Sequence, residues 1–263
     1  HVADFDLDRL SPAEALDRLP VLDPGKVTTA AYHQAAWDID TDLMIQRYAK
    51  EIRQNGQVIT GAKSQAIWRT PGGWEVETTG GSYSGRTLVN AAGAWADDIA
   101  RLADIAPLGL TPKRRSMARV AAPQGHDPKT WPITIGAGEA WYMKPDAGAL
   151  LISPADAEPV EPHDAWADDM VLAEGIAGWE AHVTMPVRKM IANWAGLRTF
   201  APDGVPVIGP DPLDPGFLWC AGQGGYGFQT APAASRLLAE LAGGTAPALD
   251  PATIAALDPA RFA

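Results

Sequence analysis

Gly222, Gly224, Gly225 and Gly227 place four glycines within six positions. An apolar run, Phe217–Ala221, precedes them, and Ala231, Ala234, Leu237, Leu238 and Leu241 come after at helical spacing. The order reads as buried strand, glycine loop, helix, with Pro232 in the first helical turn, where a missing N–H costs little. Glycines let backbone come close to a ligand, and the helix start offers unpaired N–H groups and a partial positive charge. Strand-glycine-helix turns also serve packing alone, so this stretch by itself leaves both readings open. We do not read it as the dinucleotide fingerprint, and it carries no P-loop lysine. A second unit of the same kind lies upstream. Thr87-Leu88-Val89 runs into Asn90-Ala91-Ala92-Gly93-Ala94-Trp95-Ala96, with a helix to about Ala103, and there too backbone could approach a ligand.

Arg198 lies among apolar and aromatic residues, between Trp194-Ala195-Gly196-Leu197 and Thr199-Phe200-Ala201, on a segment whose pattern predicts burial. A buried guanidinium needs an acidic partner. That partner is either a core carboxylate or the carboxylate of a substrate, held bidentate. Other charged stretches are less telling. Lys113-Arg114-Arg115 opens a strand and reads as a solvated basic face, Lys113 above all. The acidic run Asp156–Asp169 has no fixed ligand spacing and no clustered His, so it reads as a solvated loop, not a metal site. Five His are present, yet neither G-x-S-x-G nor H-E-x-x-H occurs, which argues against hydrolysis.

These residues sit in a chain of 263, long enough for one large domain or two small ones. With 46% hydrophobic and 20% charged residues, the composition is that of a globular protein. A net charge of −11 argues against nucleic acid as a partner. No apolar run reaches the roughly 18–20 residues of a membrane span. Cys220 is the lone cysteine, which excludes an intrachain disulfide and a Cys-based metal cluster. Without a signal peptide the expected setting is cytoplasmic. The chain starts at His1 without Met and reads as a fragment.

The positioning elements come in order. Ser11-Pro12-Ala13-Glu14 predicts a capped helix ending before Pro20, and Val21–Trp37 an irregular connector. Asp40-Thr41-Asp42 caps a helix over Leu43–Gln54, closed by Asn55-Gly56, whose face Met44, Ile45, Tyr48, Ala49 and Ile52 is patterned for a core. Strands are expected at Val58–Thr60, Ala66–Arg69, Trp74–Thr78 and Arg86–Asn90, then at Arg114–Ala121, Ala140–Met143 and Ala149–Ile152. A helix is expected over roughly Met170–Trp179. Pro202-Asp203-Gly204 is a turn, and Val205–Ile208 a short strand.

Three stretches in this order resemble the D-amino-acid oxidase-like family of FAD-dependent enzymes, which includes glycine oxidase, sarcosine oxidase and D-amino-acid dehydrogenase. They are Val89–Ala96, Ala195–Gly209 and Ala221–Phe228, and the resemblance extends over about 11–244. It implies an α/β (α+β mixed) fold, with an incomplete FAD-binding domain (1–112 with 190–263) and an antiparallel substrate-binding domain (113–189). It further implies that Ala91, Ala92 and Gly93 lie against the adenosine-diphosphate half of FAD. Val58 would meet the adenine through backbone. Gly222, Gln223, Gly224, Gly225, Tyr226, Gly227 and Phe228 would run under the flavin ring and ribityl chain, the helix N-terminus facing the pyrimidine end. Arg198 matches the arginine that holds a substrate carboxylate, while Tyr142, beside Trp141, matches the strand that walls the pocket.

The departures are equally specific. The family opens with strand, G-x-G-x-x-G, helix and a later acidic residue. Gly56 and Gly61 stand too far apart to supply that opening, and no strand is read upstream of them. A companion chain carrying that N-terminal segment is therefore expected as a partner. Thr199-Phe200-Ala201 has no Cys where members that tether flavin carry one, so the FAD is expected to be non-covalent. Gln229 stands where sarcosine oxidases carry Lys, which points away from sarcosine. The expected activity is oxidation of a C–N bond in a small amino acid or secondary amine by hydride transfer to flavin. The alternative is a non-catalytic subunit that supplies only the substrate domain.

Overall fold

The computed structural model describes residues 7–263. Strand β1 (Asp8–Leu10) pairs antiparallel with β2 (Ala30–Tyr32) on either side of helix α1 (Pro12–Arg18). These strands fall where none was expected. α1 starts in a full capping box: Ser11 Oγ accepts the Glu14 N–H, and the Glu14 carboxylate accepts the Ser11 N–H at 2.8 Å. Helix α2 (Thr41–Asn55) is capped by Asp40, whose carboxylate accepts the Leu43 N–H at 2.9 Å. None of its residues is buried, which corrects the core role expected for Met44, Ile45, Tyr48, Ala49 and Ile52. Val58–Thr60, expected as a strand, belongs to no sheet, because no neighbouring strand among the described residues supplies a ladder to it.

Strands β3 (Ser64–Thr70), β4 (Gly73–Thr78) and β5 (Gly81–Gly85) form an antiparallel meander. β5 reads Gly-Ser-Tyr-Ser-Gly, which carries almost no strand signal and went unseen in the sequence. Gly73 has φ +135, and a Cβ there would lie 2.2 Å from the Gly85 carbonyl oxygen, so only glycine closes that turn. Strand β6 (Leu88–Asn90) passes through a 3-10 turn, Gly93–Trp95, into α3 (Ala96–Leu102). The chain continues through β7 (Thr111–Ala121), β8 (Thr134–Ile135), β9 (Tyr142–Asp146), β10 (Ala149–Ser153), α4 (Asp169–Glu180), β11 (Met190–Phe200), β12 (Val207–Pro210) and β13 (Phe217–Ala221). Helix α5 (Gly227–Gly243) ends at left-handed Gly244, and α6 (Pro251–Leu257) precedes a 3-10 turn, Pro259–Phe262.

The chain divides into two units. One takes residues up to Trp37, then 114–159 and 163–197. Its sheet runs β11-β7-β10-β9-β8. Ser116, Ala118 and Val120 alternate inward along β7 and join Met143, Leu150, Ile152, Leu172 and Trp179 in one core. The acidic run is less solvated than its sequence suggests. Asp156 accepts the Ser116 N–H at 2.6 Å and the Ser116 hydroxyl at 2.8 Å, and the Arg114 guanidinium reaches Glu158 at 2.5 Å.

The other unit takes 38–113, 160–162 and 198–263. Its two sheets run β12-β13-β6 and β3-β4-β5. Trp74, Phe217 and Trp219 pack edge to face in its core, with ring centroids 5.8 and 5.2 Å apart. Asp97 is buried and accepts the N–H groups of Leu108 and Leu110, at 3.1 and 2.9 Å, tying the loop after α3 to that helix. The mixed fold with antiparallel sheets is the one expected from the sequence. Among the described residues no helix is long and apolar enough to cross a membrane.

Candidate functional site

β6 and β13 run parallel, with Leu88 opposite Phe217, Val89 opposite Leu218 and Asn90 opposite Trp219. Their C-terminal ends therefore leave the same edge of one sheet, and each enters a small-residue turn and then a helix. Ala91, Ala92 and Gly93 and the loop Gly222–Gly227 are thus neighbours by topology. The carboxyl end of parallel strands is where open α/β sheets bind ligands. The first turn is held by Asn90, whose Nδ2 donates to the Ala96 carbonyl at 2.8 Å while its Oδ1 accepts the Ala92 N–H at 3.3 Å. Gly93 has φ +57, and a Cβ there would meet nothing within 4 Å.

The second loop lies on the end of β11 and the residues after it. Gly224 N–H donates to the Thr199 carbonyl at 2.8 Å, and Phe200 bridges to Gln223. A Cβ on Gly224 would come within 2.8 Å of the Phe200 ring, and one on Gly222 within 3.4 Å of the Ala201 nitrogen. Both have positive φ, +54 and +72. Gly225 is different: a Cβ there would meet nothing within 4 Å. Tyr226 is the N-cap of α5 and makes no side-chain capping bond, so the first N–H groups of α5, which lack intrahelical acceptors, are not satisfied by a cap side chain. Tyr226 and Phe228, 61% and 45% exposed, flank that helix end. The loop offers open backbone, a positive helix end and two exposed aromatic rings together.

Two expectations about this stretch change. α5 starts at Gly227, so Pro232 falls in its second turn and leaves the Phe228 carbonyl without its amide partner. The spacing Gly222-x-Gly224-x-x-Gly227 does satisfy G-x-G-x-x-G, contrary to our reading of the sequence. Its continuation separates it from the dinucleotide unit, because α5 leads to α6 and not to a second parallel strand.

Arg198, on β11, is half-buried, and among the described residues no hydrogen bond or ion pair to its guanidinium is present. Among the described residues the core ion pair, one of its two readings, is therefore not formed. Lys113, expected to be solvated, is half-buried with its ammonium 4.9 Å from the centre of the Phe200 ring. Neither this contact nor the Gly224–Phe200 approach was signalled by sequence spacing, since β7, β11 and the loop are far apart along the chain. In the other unit Tyr142 is half-buried, with the Arg115 guanidinium 5.9 Å from its ring centre. Trp141 is core, 3% exposed and edge to face with Trp179. Val58 is 39% exposed, outside both sheets of its unit. Burial raises the Cys220 thiol pKa, which keeps it protonated and a poor nucleophile. Among the described residues no cluster of three or more His, Cys, Asp or Glu could hold a metal.

A family model described as FAD dependent oxidoreductase matches residues 2–241. The glycine oxidase of Pseudomonas aeruginosa is 30% identical over 188 residues, covering 68% of this chain and 48% of that protein. The crystal structure of glycine oxidase from Geobacillus kaustophilus superposes with a TM-score of 0.80 at 22% identity, covering 93% of this chain and 65% of that one. L-alpha-glycerophosphate oxidase from Mycoplasma pneumoniae, solved with FAD bound, gives 0.82 at 22% identity, covering 90% and 65%. At that identity the two structures speak for the fold. The chain spans about half the length of the curated glycine oxidases of Pseudomonas aeruginosa and Geobacillus kaustophilus, 48% and 44%.

Proposed function

The chain belongs to the FAD dependent oxidoreductase family, and from that premise we propose that it oxidises the C–N bond of a small amino acid or secondary amine. The observation that carries this reading is the common sheet edge from which the Ala91–Gly93 turn and the Gly222–Gly227 loop depart.

The chain's own residues fit part of an FAD site. The open space at Gly93 and Gly225 admits a ligand against the backbone, and α5 presents an uncapped N-terminus beside it. In this assignment Ala91, Ala92 and Gly93 hold the adenosine-diphosphate half, and the backbone at Val58 meets the adenine. Gly222, Gln223, Gly224, Gly225, Tyr226, Gly227 and Phe228 hold the ring end. Bound there, FAD would supply the acceptor for a hydride leaving the substrate C–H as the amine C–N bond becomes an iminium. The helix end stabilises negative charge that develops near it. Attachment is non-covalent, since Thr199-Phe200-Ala201 offers no thiol and Cys220 is kept as the neutral thiol by burial.

Among the described residues the Arg198 fork of donors has no partner, which suits it to a substrate carboxylate. Tyr142 contributes a wall of the substrate pocket. We assign cofactor binding to the unit of 38–113 and 198–263 and substrate binding to the antiparallel sheet of the other. A companion segment completes the cofactor half. It is supported by α2, none of whose residues is buried, and by β6, which among the described residues is paired on one edge only. The setting we propose is cytoplasmic.

The test is the visible spectrum of the protein after FAD is added, alone and with the N-terminal segment of a glycine oxidase relative. A retained flavin band that bleaches anaerobically with small amino acids is expected, and Arg198→Ala should raise KM for carboxylate substrates about 100-fold or more, the scale of a lost charged hydrogen bond. No flavin retained in either setting overturns the reading.

A further inference from the structure

Residues 242–263 lie beyond the stretch that the family model matches, yet they are built into the fold. Pro259 packs so closely on β12 that a Cβ at Gly209 would lie 3.0 Å from its ring, and Phe262 reaches the core around Trp219. Between them stands Arg261, its side chain 15% exposed. Its Nε donates to Asp203 Oδ2 at 2.8 Å and its Nη2 to Asp203 Oδ1 at 3.2 Å. Nη2 also donates to the carbonyls of Val205 at 2.7 Å and Pro206 at 3.2 Å, and Nη1 to that of Asp258 at 3.1 Å. One guanidinium thus gathers a carboxylate and two carbonyls of a single tight turn and ties them to the C-terminal arm.

That turn is the floor of the glycine loop. It closes by Gly204 N–H to the Ala201 carbonyl at 2.9 Å and by Val205 N–H to Asp203 Oδ1 at 3.0 Å. A Cβ at Gly222 would lie 3.4 Å from the Ala201 nitrogen and 3.7 Å from the Pro206 Cα, so the loop begins within a side-chain atom's reach of both ends of the turn. Two residues later the Gly224 N–H is anchored on Thr199, just before the turn. We propose that Arg261 is a positioning residue for the Gly222–Gly227 loop: by locking the Ala201–Pro206 turn from the C-terminal arm, it fixes the backbone on which the flavin end of the cofactor rests. The last clause rests on the flavin reading, while the lock itself does not. A lysine could supply the charge but not the fork, and so would restore the lock only in part.

The test is amide hydrogen exchange on the 263-residue chain, comparing wild type with Arg261→Ala, Arg261→Lys and Asp203→Asn. Exchange at the Gly224 amide is expected to quicken about tenfold or more in Arg261→Ala and Asp203→Asn, and by less in Arg261→Lys, while Leu218 and Trp219 in β13 keep their protection. An unchanged Gly224 rate overturns the proposal. So does a rise shared equally by Gly224 and β13, which marks general destabilisation. If Arg261→Ala fails to fold, Asp203→Asn decides, because it keeps the carbonyl contacts of Arg261. In flavin-loaded protein, Asp203→Asn is expected to raise the FAD Kd about tenfold. Faster Gly224 exchange with an unchanged Kd removes the cofactor step. A wild-type protein that takes up no FAD removes the flavin reading and leaves the exchange data to decide the lock.

Discussion

Gly224 and Gly225 are adjacent and chemically identical, yet their surroundings assign them different tasks. Gly224 is wedged on the Phe200 ring at positive φ, so Gly224→Ala should cost about 1–3 kcal/mol in urea unfolding through strain and overpacking. Gly225 faces open space, so Gly225→Ala should stay within about 0.5 kcal/mol of wild type. If the space above it belongs to a ligand, that variant should still lose flavin affinity. A Gly225→Ala protein that binds FAD as wild type does would show that the cofactor lies elsewhere. Asp203 offers a test by pH. The Arg261 hydrogen bond holds its carboxyl below the usual value, a depressed folded pKa, so its contribution to stability is present above roughly pH 3.9, the unfolded value, and is lost as pH falls through the lower folded one. The stability gap between wild type and Asp203→Asn should therefore hold steady from roughly pH 5 to 8 and shrink below about pH 4. A gap that widens on acidification would contradict the ion pair.

At the scale of elements, α2 and α5 make the useful contrast. Both are legible in apolar periodicity, α2 also in its caps, and both form, at Thr41–Asn55 and Gly227–Gly243. α5 buries Ala234 and Leu237 and packs Leu238 and Leu241 against the same cluster, whereas α2 buries none of its residues. Leu237→Ala should therefore cost about 2–5 kcal/mol in chemical unfolding. Ile52→Ala, at a side chain 51% exposed, should cost under about 0.5 kcal/mol in this chain. A cost for Ile52→Ala near that of Leu237→Ala would mean that α2 is packed after all. Periodicity reports which face of a helix is apolar; it does not report whether that face has a partner. Val58–Thr60 fails for the same reason, since a strand needs a neighbour to donate and accept its ladder bonds.

For the whole molecule, the unburied face of α2, the open edge of β6 and the exposed Val58 and Ile59 all lie in the unit assigned to the cofactor. A companion segment that completes this unit should slow amide exchange in α2 and over 58–60 while leaving β9 and β10 of the other unit unchanged. Unaltered α2 exchange in a complex that binds flavin would remove the segment from that position.

The sequence by itself determined the local pieces: the capping box of α1, the Asp40 cap, the turn at Gly204, the buried strand Phe217–Ala221 and the glycine loop after it. Each depends on neighbours within a few residues, through caps, side-chain period or a required φ. It also carried the family resemblance, through three stretches in order. Tertiary structure decided what no local rule reaches. The parallel register of β6 with β13 brings Gly93 and Gly225 to one sheet edge from positions far apart in the chain. Folding sets Phe200 under Gly224, leaves Arg198 without a partner among the described residues and brings Arg261 onto Asp203. Such contacts arise from how distant elements share surface, which residue spacing along one strand or helix does not encode.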